Sequence, residues 1–552
     1  MVPFLPNDIL DIICEQLWHQ GDFNTLFNCA VSCKRLVTPA VKSLYRMHDV
    51  APVTYSGRDE TELSRREGKW QNQTVRKWAQ LWRSIVLSAF DQTFLRYCQY
   101  IRGFDLGDLA SLFEDSCFRG DVDKLFFGGE LSKFNIDTET LKRDRGGRFK
   151  PARRLNIPAA LDAIGEVVTQ KTPRLEALSG DILASALPRW VSRLPRLQRL
   201  KLWSGEALKE GAGLALHAHC PLFNTLRIYI WYGDDVDDLL AQFFNGLRPH
   251  SLKSFEIMGR CHMGSLSVLA LNTQSRSLTD LTLTNIKSSG IRSLPLLKEC
   301  RNLRSLSLED TVNMNDEGHL HNDTLVEIIA WLSECRQLER LSLRYFHSAP
   351  FILIPLLLNN NIPLSELSIN GYSVQGNRAF HEALGQKQTL KRVLLNGEGE
   401  DVDRDDLTVL VDSLCQLHQL RRLQLLHVST WFQNEHISTL ANNLLLLEDF
   451  CTSGCAITDD IWEDILKLKH LRRLTFDAMT SFSVDGLLNF IQRLGPGNKG
   501  LEILINNADL DSNLLEDEVA MIGERLAAKM DGRFEFHLMR DPDVSEFELE
   551  SD

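Results

Sequence analysis

The sequence predicts an α/β solenoid, with a parallel sheet inside and helices outside, preceded by a small module of three helices. Three observations predict it. A short hydrophobic motif recurs through most of the chain. The segments that follow it carry helical periodicity. The chain's 552 residues also exceed what one compact core accommodates. A single core stops growing near about 250–300 residues, whereas a repeat array has no such limit.

The motif is L-x-x-L-x-L, with other apolar residues substituting. It starts at Leu175, Leu197, Phe223, Leu252, Leu278, Leu303, Leu338, Leu364, Leu390 and Leu420. Weaker copies start at Leu447, Leu471 and Leu501, and an early copy starts at Ile101. From Leu175 onward the spacing runs from 22 residues (Leu175 to Leu197) to 35 (Leu303 to Leu338). Residues two apart point to one face of a strand, so the paired leucines face inward together. Asp323–Cys335, Asp406–Leu417 and Asp485–Leu494 read as helices between strands. In the first of these Leu325, Ile328, Ile329 and Leu332 share a face, and Asp323 is a candidate N-cap.

One strand–helix unit cannot bury its own apolar face, but stacked units can. Strands stack about 4.8 Å apart while helices are about 10 Å wide, so the array is expected to curve with its strands on the concave side. The expected organisation is a helical module over residues 1–48 and a linker with a helical cap over 49–96. A leucine-rich-repeat solenoid of about 14 strands follows over 97–540, and an acidic, disordered tail over 541–552.

Composition narrows the function classes. Hydrophobic residues make up 43% and charged residues 24% of the chain, as in folded proteins, and the net charge is −13. Nucleic-acid binders carry a basic footprint, and this chain as a whole carries none. No apolar run approaches the roughly 20 residues that span a bilayer. The start, MVPFLPNDIL, lacks the features of a signal peptide. Neither nucleic acid nor membrane is an expected partner, and the expected location is cytoplasmic, nuclear or both. The twelve cysteines read as reduced, mostly buried thiols. Cys29/Cys33, Cys451/Cys455 and His217/His219/Cys220 do not assemble four converging ligands, so no metal is expected. No phosphate loop, H-E-x-x-H or G-x-S-x-G motif occurs. No catalytic residue and no cofactor are assigned.

Residues 4–46 hold three short helical patterns. Ile9, Leu10, Ile12, Ile13 and Leu17 form a broad apolar stripe. After a break at Gln20-Gly21-Asp22, Leu26, Cys29 and Ala30 face inward, and a third helix carries Leu36 and Val37. So small a unit buries too little surface to stand alone. The ordered pattern Leu5, Pro6, Asp8, Ile9, Leu10, then Ile13 and Leu17, then Leu26, Cys29, Val31, Ser32, Cys33, Lys34 and Leu36 resembles an F-box. The resemblance covers about 45 residues. It implies docking on the Skp-type adaptor of a cullin-RING ubiquitin ligase, with the repeats capturing a protein substrate. The implied adaptor contacts are Leu5, Pro6, Ile9, Leu10, Ile13, Leu17, Leu26, Val31, Lys34 and Leu36. The alternative is a repeat scaffold or regulator working outside any ligase.

Residues 49–75 read as a polar surface connection. From about Val75 a helix with Trp78, Trp82, Ile85 and Ala89 on one face is expected to cap the first repeat. Leu141–Arg154, with seven Lys or Arg in fourteen residues, reads as a solvated loop, the alternatives being an import signal or an anion contact. Strand alternation places Arg199, Lys201, Trp203, Arg227 and Tyr229, with Trp231 beyond, on the concave face. Arg340, Arg344, Arg392 and Arg422 extend the positive charge, interrupted by Asp280, Glu309, Glu366 and Asp449. Arginine and aromatics together suit an acidic or phosphorylated peptide.

Overall fold

A computed structural model describes residues 5–46, 67–143, 149–286, 288–310, 322–346, 348–398, 404–509 and 514–538. The chain divides into two compact units, Met1–Ser277 and Leu278–Asp552.

The first unit opens with helices α1 (Asn7–His19), α2 (Phe23–Ser32) and α3 (Lys34–Leu44). Gly21, at φ 71°, ends α1, with the Asp22 N–H returning to the Leu17 carbonyl at 3.0 Å. This is the reversal that glycine makes without strain. Asp22 then caps α2 by accepting from the Thr25 N–H at 3.0 Å. Cys14, Leu26 and Ala40 form the module's interior, with Leu17, Trp18, Phe23, Cys29, Ala30, Leu36 and Leu44 packed around it. Arg35 donates to the Leu5 carbonyl (2.8 Å) and to Asn7 Oδ1 (3.1 Å), tying α3 to the chain before α1.

Helix α4 runs Glu67–Ser88, so it starts before Val75, where the sequence reading began it. Glu67–Thr74 contains no proline, and extending a packed helix is far easier than nucleating one. Trp78, Trp82, Ile85 and Ala89 are all buried. Residues 47–66, most of the expected linker, and residues 541–552, the expected acidic tail, lie outside the described residues.

Strand β1 (Gly103–Asp105) is followed by two short helices and by β2 (Asp137–Arg143) and β3 (Phe149–Leu155). These two pair antiparallel, Asp137 opposite Leu155. The basic stretch expected as a loop is therefore mostly strand, with residues 144–148 lying outside the described residues. β4 (Ala177–Gly180), β5 (Arg199–Ser204), β6 (Thr225–Ile230) and β7 (Ser254–Ile257) complete the unit's parallel ladder. β1 pairs directly with β4, Gly103 opposite Ala177. The same backbone bond recurs at each step: Ala177 N–H to Arg102 O, Arg199 to Glu176, Thr225 to Gln198, Ser254 to Asn224. Leu178, Leu200, Leu202, Leu226, Ile228, Phe255 and Ile257 point inward and are buried.

Among its described residues the second unit holds ten parallel strands: β8 (Asp280–Ile286), β9 (Ser305–Asp310), β10 (Arg340–Arg344), β11 (Glu366–Tyr372), β12 (Arg392–Gly397), β13 (Arg422–Leu426), β14 (Asp449–Thr458), β15 (Arg473–Ser481), β16 (Glu502–Ala508) and β17 (Arg533–Leu538). Each pairs with the next in sequence. Helices at Asn322–Glu334, Arg404–Cys415 and Val484–Arg493 lie where the periodicity put them, within two residues. Two details differ from the sequence reading. The copy at Leu501 is out of phase by one: Ile503 and Ile505 are buried and Leu504 is not. The strand Arg533–Leu538 carries no copy of the motif, because Gly532 stands where Leu501 stands one repeat earlier.

Gly371 ends the regular part of β11 at φ 70°. A Cβ there would sit 2.7 Å from Tyr345 Cδ1. Gly371→Ala is expected to lose about 1–2 kcal/mol, from left-handed strain plus overpacking. Urea unfolding at the same slope but a lower midpoint would show it, and an unchanged midpoint would refute it.

Candidate protein-interaction surfaces

Outward positions of β5 and β6 bring together an aromatic and a cationic group. Leu202 pairs with Ile228 in the ladder, so Trp203 and Tyr229 come side by side. Their rings stack at 4.8 Å between centroids, 17° apart. Stacking of this kind is worth roughly 0.5–1.5 kcal/mol beyond area burial. Trp203 nonetheless keeps 50% of its surface exposed. Its indole lies against Gly107, where an added Cβ would fall 2.7 Å from Nε1. Lys201 Nζ stands 5.6 Å from the Tyr229 ring centroid.

Lys201 lies directly opposite Arg227 in the register, and like charges so placed repel. The repulsion is relieved because Arg227 pairs with Glu256 on β7. Among the described residues no carboxylate pairs with Lys201. The usable charge beside the aromatic pair is thus one ammonium, flanked by Ser179 on β4, a short side chain that leaves it room.

Trp231 departs from the expectation. It is 1% exposed, and its Nε1 donates to Glu206 at 3.1 Å. Gly205 packs on the indole face. Strict alternation would have turned Trp231 outward, but the alternation stops at Tyr229. Ile230 is exposed and Trp231 is buried, and the chain bridges to Cys261 outside the strand.

In the second unit the outward arginines do not form a positive stripe. Arg340 reaches Asp280 at 3.0 Å, passing over Ser305 on the intervening strand. Arg344 pairs with Glu309 at 2.9 Å, and Arg392 with Glu366 at 2.9 Å. Three of the acidic residues read as interruptions, Asp280, Glu309 and Glu366, are these arginines' partners, while Asp449 lies 4.0 Å from Arg473. Such half-exposed pairs contribute little to stability, about 0–1 kcal/mol each, but they cancel the field.

On the helical module the ten candidate contacts divide. Leu5, Pro6, Ile9, Ile13, Val31 and Lys34 are exposed. Leu10 and Leu26 are buried, and Leu17 and Leu36 pack on the interior. Those four hold the helices together rather than offering a surface. The cause is helical geometry: Leu10, Cys14 and Leu17, spaced i, i+4 and i+7, form one stripe, while Ile9, Ile12 and Ile13 form another. Ile12, part of the expected stripe but not of the ten contacts, and Phe27 are exposed as well. Phe27 (57%) and Val31 (67%) stand four residues apart on α2, so both sit on one helix face. Leu26, beside them in sequence, turns inward.

Among the described residues no group of three or more His, Cys, Asp and Glu is placed to hold a metal ion. No described helix is long and apolar enough to cross a membrane. Burial pushes the thiols of Cys220, Cys261, Cys300, Cys335 and Cys451 up to about 12. At neutral pH they are not thiolate nucleophiles.

The ladder of parallel strands at repeat spacing defines a leucine-rich-repeat protein. No protein-family model matches the chain, and no curated protein matches it in sequence. Among solved structures it is similar to an internalin from Listeria monocytogenes (TM-score 0.35, 13% identity), covering 61% of this chain and 81% of that one. It is also similar to a TLR13–ssRNA13 complex (0.36, 14%), covering 68% and 55%. A third is the Toll–Spatzle complex from Drosophila (0.28, 12%), covering 68% and 42%. The chain thus spans about half or less of the latter two. Likenesses at these identities carry no function across, and the assignment of repeats rests on the ladder itself.

Proposed function

We propose that this protein is the substrate-recognition subunit of an SCF-type ubiquitin ligase, non-catalytic itself. Its helical module docks on a Skp-type adaptor, and through it a cullin, while its repeats hold a protein substrate. The observation that carries the reading is the second apolar stripe of α1 with its companions on α2. Leu5, Ile9, Ile12, Ile13, Phe27 and Val31 expose apolar surface on a module whose remaining apolar residues already fill its interior. Small modules do not keep such surface without a partner. The F-box-like order to which Leu5, Ile9, Ile13 and Val31 belong supports a Skp-type adaptor as that partner. Work of this kind needs no reactive residue, because bringing a target lysine near a charged conjugating enzyme raises its effective concentration.

The substrate surface in this reading is Lys201, Trp203 and Tyr229. One unpaired ammonium beside a stacked aromatic pair suits a carboxylate flanked by an apolar residue. A phosphate is better met by two or more guanidinium groups, and Arg227 is already engaged by Glu256.

Affinity purification with mass spectrometry separates the two roles. Ile9→Asp with Ile13→Asp alters exposed positions only, and is expected to abolish recovery of the adaptor while sparing other bound proteins. Lys201→Glu with Trp203→Ala should do the reverse. If the wild-type chain never recovers an adaptor, the ligase reading fails and a repeat scaffold outside any ligase takes its place.

A further inference from the structure

Five strands of the first unit place one outward residue each in a single row. Asp105 pairs with Ser179, Ser179 with Lys201, Lys201 with Arg227 and Arg227 with Glu256. The row has an acid at each end and two bases near its centre. The two acids are used differently. Asp105 Oδ1 accepts the Gly107 and Asp108 N–H groups at 2.8 and 3.2 Å, so it caps the helix Leu106–Glu114. Glu256 is committed to Arg227. The Arg227 Nε donates to Glu256 Oε2 at 2.5 Å, and Nη2 lies against the same oxygen. Ser254 donates its hydroxyl to the other oxygen, Oε1, at 3.2 Å. A carboxylate of the chain itself therefore fills the guanidinium edge that would otherwise take a ligand's anion.

We propose that Glu256 sets the specificity of this face: by holding Arg227, it makes the surface accept a peptide bearing one carboxylate and reject a phosphorylated one. The inference rests on the substrate surface proposed above and names the residue that restricts it. Ion pairs as exposed as this one contribute little to stability, so stability does not account for the pair. Its effect on charge is larger. Without Glu256, Lys201 and Arg227 would offer two adjacent cations, which suits the nearly double charge of a phosphate. With it, one ammonium remains, and an acid two strands away, at roughly 10 Å, repels a second negative charge. Strand β7 also extends the apolar side of the seat. Leu202 and Ile257 both pair with Ile228, so Met258 follows Tyr229 in the row that Trp203 begins. Met258 is 43% exposed, and its thioether adapts to varied apolar groups. The charged and apolar rows run side by side, so the preferred ligand carries its carboxylate next to an apolar side chain.

Two peptides test this, acetyl-Gly-Glu-Leu-Gly-amide and the same peptide with phosphoserine in place of glutamate. The full chain is labelled with nitrogen-15 at tryptophan, and the Trp203 indole signal is identified by its absence from Trp203→Phe. In wild type the glutamate peptide is expected to shift that signal at the lower concentration. Glu256→Ala trims an outward side chain and leaves the buried Phe255 and Ile257 in place, so the ladder should survive it. In this variant the preference between the peptides should move about tenfold or more toward phosphoserine. Adding Arg227→Ala should restore the wild-type preference, which a merely structural role for Glu256 would not do. An unchanged preference in Glu256→Ala overturns the proposal, as does a wild type that already prefers phosphoserine. If neither peptide shifts the signal in wild type, the substrate surface falls and this inference with it, while recovery of the adaptor is untouched.

Discussion

Asp108→Ala is expected to destabilise the first unit by about 2–5 kcal/mol, whereas Asp108→Asn should be nearly neutral. The indole N–H groups of Trp78 and Trp82 both donate to Asp108 Oδ2, at 2.8 and 2.7 Å. Both tryptophans are buried, Trp82 completely. Removing the shared acceptor strands two buried donors, each at about 1–3 kcal/mol. Asparagine keeps an oxygen in place and removes a charge that burial disfavours. Desolvation holds the Asp108 carboxyl above the usual carboxylate range, with the two indoles pulling the other way and Asp105 adding to the rise. The sign follows: where the folded pKa is raised, the folded chain binds the proton more readily than the unfolded one. This residue's contribution therefore grows as pH falls through the window between the raised and the ordinary value. Urea unfolding of the three chains at neutral and mildly acid pH checks both statements. Equal losses for alanine and asparagine would refute the shared-acceptor account.

The second large effect belongs to His381 and acid. Its side chain is fully buried, with neither ring nitrogen hydrogen-bonded, between Phe380 and Tyr372 at 5.5 and 6.4 Å. Desolvation lowers its pKa from 6.5 to about 4, only partly offset by Asp406. Between those values the unfolded chain takes a proton that the folded chain refuses. Stability present above pH 6.5 is therefore lost as pH falls toward about 4, by about 3 kcal/mol at 1.36 kcal/mol per unit. His381→Leu removes the titrating group and should flatten that part of the profile in the second unit. An identical acid slope in the variant would place the loss elsewhere.

Much of the array was legible because its signal is simple. Paired apolar residues two apart, at repeat spacing, admit few readings, and helices between them follow from 3.6-residue periodicity. What was not legible depends on neighbours. Nothing near Arg340 in sequence announces Asp280, which becomes its partner only through the stacking of β8, β9 and β10. Trp231 is not legible from alternation because the period of two stops at Tyr229, before it. The Leu501 copy shows how one residue fewer before a strand exchanges its faces. The antiparallel pair β2 and β3 was not legible because glycine, proline and clustered charge obscure any period of two. On the helical module the family resemblance grouped residues without dividing inner from outer. Helical spacing alone separates Leu10 and Leu17 from Ile9 and Ile13.

The direct pairing of Gly103 with Ala177 bears on how the chain assembles. Neighbouring strands elsewhere in the first unit join residues such as Ala177 and Arg199, a short excursion, while β1 and β4 enclose more than seventy. Loop-closure entropy grows with the logarithm of length, which makes that junction harder to form by about 1 kcal/mol. Zipping is thus expected to begin among the later strands and reach β1 last, an order that pulse-labelled refolding would read directly.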